Sequence, residues 1–219
     1  LGYSHFYVYS IYIKQINQIY MKNDVSETIE FYNKNAREFV KGTVSVDFKE
    51  TQDKFLNLLN KGDYILDFGC GSGRDTKYFA KQGMKVEGID GSLELCKIAS
   101  DYTGMKIKNM FFKDLNEENK YDGIWACSSI LHLSKNELKL VFQKMSKALK
   151  NNGIIYTSFK YGDFEGVRNG RFFVDFTVKE FRKFIKDIEE LQIEECWITN
   201  DVRKGRDGEK WLNIILRKI

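Results

Sequence analysis

The chain has 219 residues and a formal net charge of +4, and 42% of its residues are hydrophobic while 30% are charged. This composition is typical of an ordinary soluble globular protein, and the length favours one domain with a sizeable core. No segment is long and apolar enough to span a bilayer. The charge is modest and interspersed, so it does not indicate the concentrated basic stripe of a nucleic-acid-binding protein.

Residues 1–20 are rich in Tyr and Ile and precede Met21. They lack the basic start and the small-residue cleavage site of a signal peptide, and they are too short and too polar for a transmembrane helix. We interpret them as an extension before a natural start at Met21, with an amphipathic cap as the alternative. A single domain is expected over residues 21–219, with no membrane association.

Two helices are predicted at the start of this domain. Ser26 can cap a helix over residues 26–40, and a second helix is expected over about 47–59, so that residues 21–60 form an N-terminal helical cap or lid. Strands and helices then alternate. The further predicted elements are strand 63–68, helix 74–82, strand 84–90, helix 92–101, strand 106–111, strand 121–126, helix 134–149, strand 153–160, helix 177–188, strand 191–199 and strand 210–217.

This alternation predicts an α/β fold with seven strands in a mostly parallel sheet, right-handed crossovers and helices on both faces. The last two strands have no helix between them. They are therefore expected to form a C-terminal antiparallel hairpin.

The four cysteines are scattered along the chain and form no C-x-x-C pair; they are Cys70, Cys96, Cys127 and Cys196. Because there are only two histidines, a Cys/His zinc site is not expected and no metal ligands are predicted. Scattered cysteines are typical of reduced thiols, which favours a cytoplasmic protein.

The most informative segment is residues 64–75, where an apolar run leads into Asp67, three alternate glycines and a helical pattern that opens at Arg74. Glycine tolerates positive φ and allows a ligand to approach the backbone closely. In α/β sheets such a turn presents a nucleotide-like ligand at the carboxyl end of the first strand. A turn that serves chain reversal alone is the weaker interpretation, because it needs only one or two glycines.

The glycine spacing separates two classes of ligand. The dinucleotide fingerprint is G-x-G-x-x-G, and counting from Gly69 its third glycine would fall on Arg74. The G-x-G-x-G of Gly69, Gly71 and Gly73, preceded by Asp67, instead resembles motif I of the class I S-adenosylmethionine-dependent methyltransferases. An NAD dehydrogenase is therefore the least favoured interpretation.

The resemblance covers about residues 29–218 and implies a Rossmann-like fold. It includes Phe31-Tyr-Asn-Lys-Asn-Ala, Trp125-Ala-Cys-Ser-Ser and Ser158-Phe-Lys-Tyr-Gly, which look like a bacterial set of small stand-alone methyltransferases often labelled tellurite-resistance-like. The implied cofactor is S-adenosylmethionine, with S-adenosylhomocysteine as its product.

Acids and strand ends supply the candidate cofactor contacts. Asp90 ends the second predicted strand, where an acid accepts hydrogen bonds from ribose hydroxyls, unless it only caps a helix. The resemblance implies that Asp114 and the Leu115 amide bind adenine, with a surface turn as the alternative. It also implies that Cys127 and Ser128 flank the methionine part. The full predicted set is Tyr32, Asp67, Gly69, Cys70, Gly71, Gly73, Asp75, Asp90, Gly91, Ser92, Asp114, Leu115, Cys127 and Ser128.

Methyl transfer depends mainly on positioning, and a base is needed only when the acceptor must lose a proton. His132 and Lys160 are the candidate catalytic residues, although a structural histidine at a strand–helix junction is the favoured interpretation of His132. The candidate substrate residues are Tyr161, Arg168 and Arg171. Two arginines near the cofactor suit a carboxylate or phosphate, and a solvated charged loop is the alternative. Tyr32 is a candidate lid residue, with core packing as the alternative.

The leading hypothesis is a methyltransferase whose acceptor is a small molecule, with anionic molecules among the candidates. The protein is expected to be a monomer or a homodimer. A binding module for the cofactor that performs no chemistry is the second hypothesis. A tRNA methyltransferase is the third, and it is disfavoured by the modest charge and by the lack of an appended RNA-binding domain.

Overall fold

The computed structural model of the chain describes residues 27–203, 205–206 and 208–219. The predicted extension, the start at Met21 and the Ser26 cap lie outside the described residues. The helices and strands, in chain order, are α1 (27–41), α2 (Lys49–Leu56), β1 (Tyr64–Phe68), α3 (Arg74–Lys81), β2 (Lys85–Asp90), α4 (Leu93–Thr103), β3 (Lys108–Asn109), β4 (Tyr121–Ala126), α5 (Lys135–Ala148), β5 (Leu149–Lys160), β6 (Glu165–Arg168), β7 (Arg171–Val174), α6 (Val178–Ile185), β8 (Leu191–Asn200) and β9 (Lys210–Lys218).

Seven of the strands form one sheet in the order β3-β2-β1-β4-β5-β9-β8. The first five strands of this order are parallel, whereas β9 is antiparallel to both of its neighbours, β5 and β8. The predicted α/β fold with a mostly parallel seven-stranded sheet and a C-terminal antiparallel hairpin is therefore confirmed. The hairpin inserts β9, not β8, next to the parallel strands.

Alternate residues of the central strands divide the core into two layers. Ile65 of β1 packs in a cluster with Phe55 of α2 and Phe79 of α3. The next residue, Leu66, belongs to the larger cluster on the other face, which includes Phe142 of α5. Since successive side chains of a strand point to opposite faces, helices cover both sides of the sheet, as the alternation predicts.

Two strands differ from their predicted bounds by more than one residue. Strand β3 is only Lys108–Asn109, shorter than the predicted 106–111, because two residues pair with β2 before the chain turns into a 3-10 helix at Phe112–Asp114. Strand β5 begins earlier than predicted, at Leu149, which pairs with Tyr121 across a register shift. Both differences arise from pairing between strands, which local pattern does not report.

The segment between predicted strand 153–160 and predicted helix 177–188, for which no strand was expected, contains a second, two-stranded sheet. Strands β6 and β7 pair antiparallel around Asn169 and Gly170. Both turn residues have positive φ, 52° and 72°, as a type I′ hairpin turn requires. The Asn-Gly dipeptide is a strong hairpin signal that the sequence analysis did not use. The hairpin fixes the position of Arg171 at the start of β7.

Gly123 of β4 is packed closely against α2, so Gly123→Ala is expected to destabilise the fold. A Cβ atom there would lie 2.7 Å from Cζ of Phe55 and 3.0 Å from Cδ1 of Leu59. Overpacking of this kind lowers the free energy of unfolding by about 1–3 kcal/mol. Urea denaturation measures the change. The matched control is Gly208→Ala, whose Cβ position has no heavy atom within 4 Å apart from its chain neighbours. Equal stability of the two variants would contradict this packing.

Candidate cofactor and acceptor cleft

The carboxyl ends of β1, β2, β4 and β5 open into one cleft of about 1430 Å³. Gly69 and Gly71 follow β1, Asp90 ends β2, and Lys160 ends β5, and all four line the cleft. Helix α1 contributes a further wall that includes Tyr32. Parallel strands bring their carboxyl ends to one edge of the sheet, which is where α/β proteins bind ligands.

The loop after β1 is held in one conformation by backbone hydrogen bonds and by tight packing. The amides of Gly69 and Cys70 both donate to the carbonyl of Ile89, at 3.0 and 2.9 Å. The φ angles of Gly69, Gly71 and Gly73 are +89°, +54° and +77°. A Cβ on Gly69 would lie 2.5 Å from Cβ of Ser129. The loop therefore requires glycine both for its backbone angles and for space.

The three glycines have different neighbours. A Cβ on Gly71 would lie 3.0 Å from Cε1 of Phe39, so α1 packs directly over this residue. A Cβ on Gly73 would lie 2.8 Å from Cγ2 of Thr103 on α4. Gly71 lines the cleft and Gly73 does not. Gly73 therefore allows helix packing behind the loop, whereas Gly71 exposes backbone to the cleft.

Asp90 lies at the cleft beside the glycine loop. Its Oδ2 accepts from the amide of Gly71 at 2.9 Å, and its Oδ1 accepts from the amide of Ser92 at 2.8 Å. Burial raises the pKa of this carboxyl to about 6, against the effect of the two amides. Each carboxylate oxygen has further lone-pair capacity. Asp90 therefore lines the cleft with unused hydrogen-bond acceptor capacity on both oxygens.

Gly91 and Ser92 connect this acid to α1 and α4. Ser92 caps α4 by accepting from the amide of Leu95, and its hydroxyl donates to Oδ1 of Asn33 on α1 at 2.7 Å. A Cβ on Gly91 would lie 2.5 Å from Cδ1 of Ile29. Gly91 lines the cleft, whereas Ser92 is fully buried outside it. Ser92 thus positions the helices that border the cleft.

Asp67 and Asp75 lie under the glycine loop. Asp67 is buried and does not line the cleft; its Oδ2 accepts from Oγ1 of Thr76 at 2.5 Å. Burial and the nearby Asp75 raise the pKa of Asp67 to about 8, so it carries a proton at neutral pH. Asp75 borders the cleft and accepts from four side-chain N–H groups: Gln52 Nε2, Arg74 Nε, Arg74 Nη2 and Trp125 Nε1.

Asp114 and Leu115, the predicted adenine contacts, do not line the cleft. Asp114 is exposed at the end of the 3-10 helix, and the amide of Leu115 donates to the carbonyl of Phe112 at 3.3 Å. Because β3 is so short, the chain turns earlier and presents Phe111 and Phe112 to the cleft instead. These two aromatic rings were not identified from the sequence.

Cys127 and Ser128 line the cleft just after β4. Burial raises the pKa of Cys127 to about 12, so this side chain is a protonated thiol and not a nucleophile. Ser128 has a φ of +52°, which is uncommon for a residue with a Cβ. Its amide donates to Oγ of Ser158 at 2.9 Å. The hydrogen bond to β5 holds this turn against the cleft.

His132 forms a hydrogen-bonded cluster with residues of α1 and β7. Its Nδ1 donates to the carbonyl of Phe172 at 2.6 Å, so its Nε2 accepts from the hydroxyl of Tyr32 at 2.8 Å. Nη1 of Arg171 donates to the same hydroxyl at 3.2 Å. Burial lowers the pKa of His132 to about 3, which keeps the imidazole neutral. Both ring nitrogens are occupied, so the geometry favours a positioning role over that of a base.

Lys160 is held by acids of the connection between β8 and β9. Its Nζ bonds Oδ2 of Asp201 at 3.4 Å and forms an ion pair with Glu209. Burial lowers the pKa of Lys160 to about 8, and the neighbouring Arg203 acts in the same direction. Its ammonium is therefore engaged in ion pairs at the wall of the cleft.

Tyr161 and Arg168 lie outside the cleft, although the sequence analysis grouped them with Arg171. Arg168 forms a bidentate ion pair with Asp175, at 2.8 and 2.7 Å, and Tyr161 is exposed. Arg203 and Arg206 line the cleft in their place. The predicted hairpin of the last two strands was the signal that could have located them, since their connection lies beside the end of β5.

Two further properties concern the described residues. Within residues 27–203, 205–206 and 208–219, no group of three or more His, Cys, Asp or Glu side chains has a geometry that suits a metal ion. No helix in the described part of the chain is both long and apolar enough to cross a bilayer.

Replacing His132 by Gln is expected to reduce the sensitivity of the fold to acid. The pKa of His132 is about 3 in the folded protein, against about 6.5 in an unfolded chain. Between these values the unfolded state binds a proton that the folded state does not. The wild-type free energy of unfolding therefore decreases as the pH is lowered, by up to about 1.4 kcal/mol per pH unit. The stability difference between wild type and His132→Gln should shrink from pH 6.5 to pH 4.5 in urea denaturation.

The control is Tyr32→Phe, which removes the hydroxyl partner but keeps the imidazole. This variant should retain the wild-type dependence on pH. Parallel stability curves for wild type and His132→Gln over the same pH range would show that His132 is not held neutral.

The sequence matches the family described as a methyltransferase domain over residues 65–153. Alpha N-terminal protein methyltransferase 1 of Caenorhabditis elegans is 31% identical over 159 residues, which are 64% of this chain and 68% of that protein. Phosphoethanolamine N-methyltransferase 3 of Arabidopsis thaliana is 31% identical over 126 residues, 53% of this chain and 25% of that protein. The chain spans only 30%, 31% and 44% of the length of three other curated relatives.

Among solved structures, the fold is similar to that of Burkholderia thailandensis 1,6-didemethyltoxoflavin-N1-methyltransferase, which has been solved with 1,6-didemethyltoxoflavin and S-adenosylhomocysteine bound. The TM-score is 0.69 at 19% identity, and the match covers 94% of this chain and 89% of that chain. These matches do not establish the tellurite-resistance-like subtype, which stays a prediction. With the glycine loop and Asp90 at one cleft, the described strand order and the identity to the nematode enzyme, the chain belongs to the class I S-adenosylmethionine-dependent methyltransferases.

Proposed function

We propose that the protein transfers the methyl group of S-adenosylmethionine to a small acceptor that carries an acidic group. The observation that carries this proposal is a single cleft with two chemically different ends. One end consists of the glycine loop and Asp90. The other end is rich in cationic side chains, including Arg171 and Arg203. The similarity to a phosphoethanolamine N-methyltransferase supports an acceptor of this kind.

The residues at the first end fit the cofactor. Gly69 and Gly71 expose backbone where a side chain would collide with Ser129 or Phe39. The carboxylate of Asp90 has lone-pair capacity for two ribose hydroxyls, and the rings of Phe111 and Phe112 offer apolar surface for adenine. We assign adenosine binding to these residues in place of Asp114 and Leu115.

S-adenosylmethionine, held by the glycine loop and Asp90, would supply an electrophilic methyl group: an acceptor lone pair would bond to the methyl carbon in line, and the thioether sulfur would leave with the electrons of the C–S bond. The protein's own residues contribute mainly by holding the acceptor in this line, because effective molarity accounts for much of such catalysis. His132 holds the hydroxyl of Tyr32 at the cleft, and Tyr32 in turn contacts Arg171. We propose that this cluster positions the acceptor. Lys160 has the same role through its ion pairs.

Helix α1 is the proposed lid over the cofactor end. Phe39 packs over Gly71 and Ile29 packs over Gly91, so both contacts lie beside Asp90. Asn33 fastens the helix to the start of α4 by accepting from Ser92. A helix in this position excludes water from the reacting atoms once the ligands are bound.

Calorimetric titration with S-adenosylmethionine, S-adenosylhomocysteine and NAD tests the cofactor assignment. The first two ligands should bind in the micromolar range and NAD should not bind. Formation of S-adenosylhomocysteine is then measured with amines that carry a phosphate or a carboxylate, with their uncharged analogues and with total tRNA. Binding without turnover of any acceptor would favour a binding module that performs no chemistry. Turnover of tRNA alone would favour an RNA methyltransferase.

Asp90→Ala is expected to weaken binding of S-adenosylhomocysteine about 10- to 150-fold. The variant loses the acceptor for two ribose hydroxyls, which together are worth roughly 1.5–3 kcal/mol. Asp90→Asn keeps one oxygen and should lose less. The matched control, Asp101→Ala, removes an exposed carboxylate from α4 and should leave the affinity unchanged. Wild-type affinity in Asp90→Ala would remove Asp90 from the cofactor site.

A further inference from the structure

The acceptor end of the cleft carries a surplus of positive charge. Four cationic side chains line it: Lys160, Arg171, Arg203 and Arg206. The carboxylates bonded to them are Asp201 and Glu209. Four cations against two carboxylates leave a formal surplus of two positive charges. We call these four cations the basic cluster.

Asp201 fixes one half of the basic cluster. Its carboxylate accepts from Nε and Nη2 of Arg203 at 2.9 and 2.5 Å, from Nε1 of Trp211 at 3.0 Å and from Lys160. Burial raises the pKa of Asp201, whereas these hydrogen bonds and the charge of Arg203 lower it. The hydrogen bonds and the charge have the larger effect, so the pKa of Asp201 is well below its usual range. Asp201 therefore stays ionised and holds Arg203 and Lys160 in place.

Arg171 has a buried hydrogen-bond donor without an acceptor among the described residues. Its Nη1 donates to the hydroxyl of Tyr32, but its Nε is buried and has no hydrogen-bond partner among the described residues. The guanidinium lies over the rings of Phe31 and Phe173, at 4.6 and 5.0 Å from their centroids. Aromatic packing fixes the plane of the group, and a buried N–H without an acceptor is costly. An acceptor oxygen from a ligand would satisfy it.

Arg206 lies at the mouth of the cleft with 42% of its side chain exposed. Its bonds to Glu209 are long, at 3.3 and 3.4 Å. Arg171, Arg203 and Arg206 all line the cleft. Burial, together with the like charges of Arg203 and Arg171, lowers the pKa of Arg206. Three neighbouring arginines at one end of a cleft repel one another until an anion lies between them.

We propose that the basic cluster binds a phosphate monoester group on the methyl acceptor, with Arg171 and Arg206 as direct ligands and Arg203 and Lys160 as positioned supporting charges. This inference rests on the proposed function and names its substrate class. A phosphate monoester carries close to two negative charges at neutral pH, which matches the surplus of the cluster, and its three terminal oxygens suit arginine donors from several directions. A carboxylate carries one charge and two oxygens. A nucleic-acid backbone offers single charges spread along a strand, whereas this cluster is confined to one cleft.

The test is calorimetric titration of the full chain, saturated with S-adenosylhomocysteine, with inorganic phosphate and separately with acetate at equal ionic strength. Phosphate should bind at least about tenfold more tightly than acetate. Arg171→Gln and Arg206→Gln should each weaken phosphate binding about tenfold or more, since each removes hydrogen bonds between charged groups. Arg182→Gln, which removes an exposed arginine from α6, is the matched control and should bind phosphate like the wild type.

Several results would overturn the proposal. Acetate binding as tightly as phosphate would identify a carboxylate site, and unchanged phosphate affinity in both arginine variants would place the anion elsewhere. If Arg171→Gln does not fold, Arg206→Gln decides, because Arg206 lies on an exposed connection. Titration of phosphate without S-adenosylhomocysteine, compared with titration of S-adenosylhomocysteine itself, distinguishes failure of the phosphate inference from failure of the proposed function. Phosphate binding without any cofactor binding would support the phosphate site and contradict the proposed methyl transfer. Cofactor binding without phosphate binding would support methyl transfer and contradict the phosphate site.

Discussion

The buried carboxylate of Asp75 is the interaction on which the cleft depends. Gln52 Nε2 and Trp125 Nε1 donate to it at 2.7 and 2.8 Å, and Arg74 donates through two nitrogens. These donors come from α2, β4 and the first turn of α3. A buried charge is tolerated only when its hydrogen-bonding capacity is met, and an acid in the first turn of a helix also complements the helix dipole. The glycine loop, which ends at α3, is thereby fixed to the sheet.

Asp67 explains how a second acid is accommodated close to Asp75. Two ionised carboxylates side by side in the interior repel each other, so one of them holds a proton. The raised pKa of Asp67 identifies it as the protonated member, and Thr76 satisfies its oxygen. The acid that introduces the glycine motif is therefore a structural group beneath the loop. Of Asp67 and Asp90, it is Asp90, which accepts from two amides, that lines the cleft.

The alternation of strands and helices, the mostly parallel sheet that it implies and the position of the glycine loop follow from local signals, because strand, turn and helix patterns are short in sequence. Asp90 lies at the cleft because it ends a strand next to β1. The sequence did not predict Phe111 and Phe112 at the cleft, since their placement depends on β3 ending after two residues. Arg203 and Arg206 reach the cleft through pairing of β9 with β5, which joins residues far apart in the chain.

Helix α1 touches both ends of the cleft. Phe39 and Ile29 pack over glycines beside Asp90, and Tyr32 bonds with His132 and Arg171 at the acceptor end. A ligand that orders this helix at one end of the cleft is expected to lower the entropic cost of binding a ligand at the other end, and such coupling is reciprocal. Binding of cofactor and acceptor is therefore expected to be coupled through this helix, in addition to the direct contact that methyl transfer requires. A helix that closes over both ligands, as we propose for α1, must also open before product leaves, so its rate of opening is expected to set an upper limit on turnover.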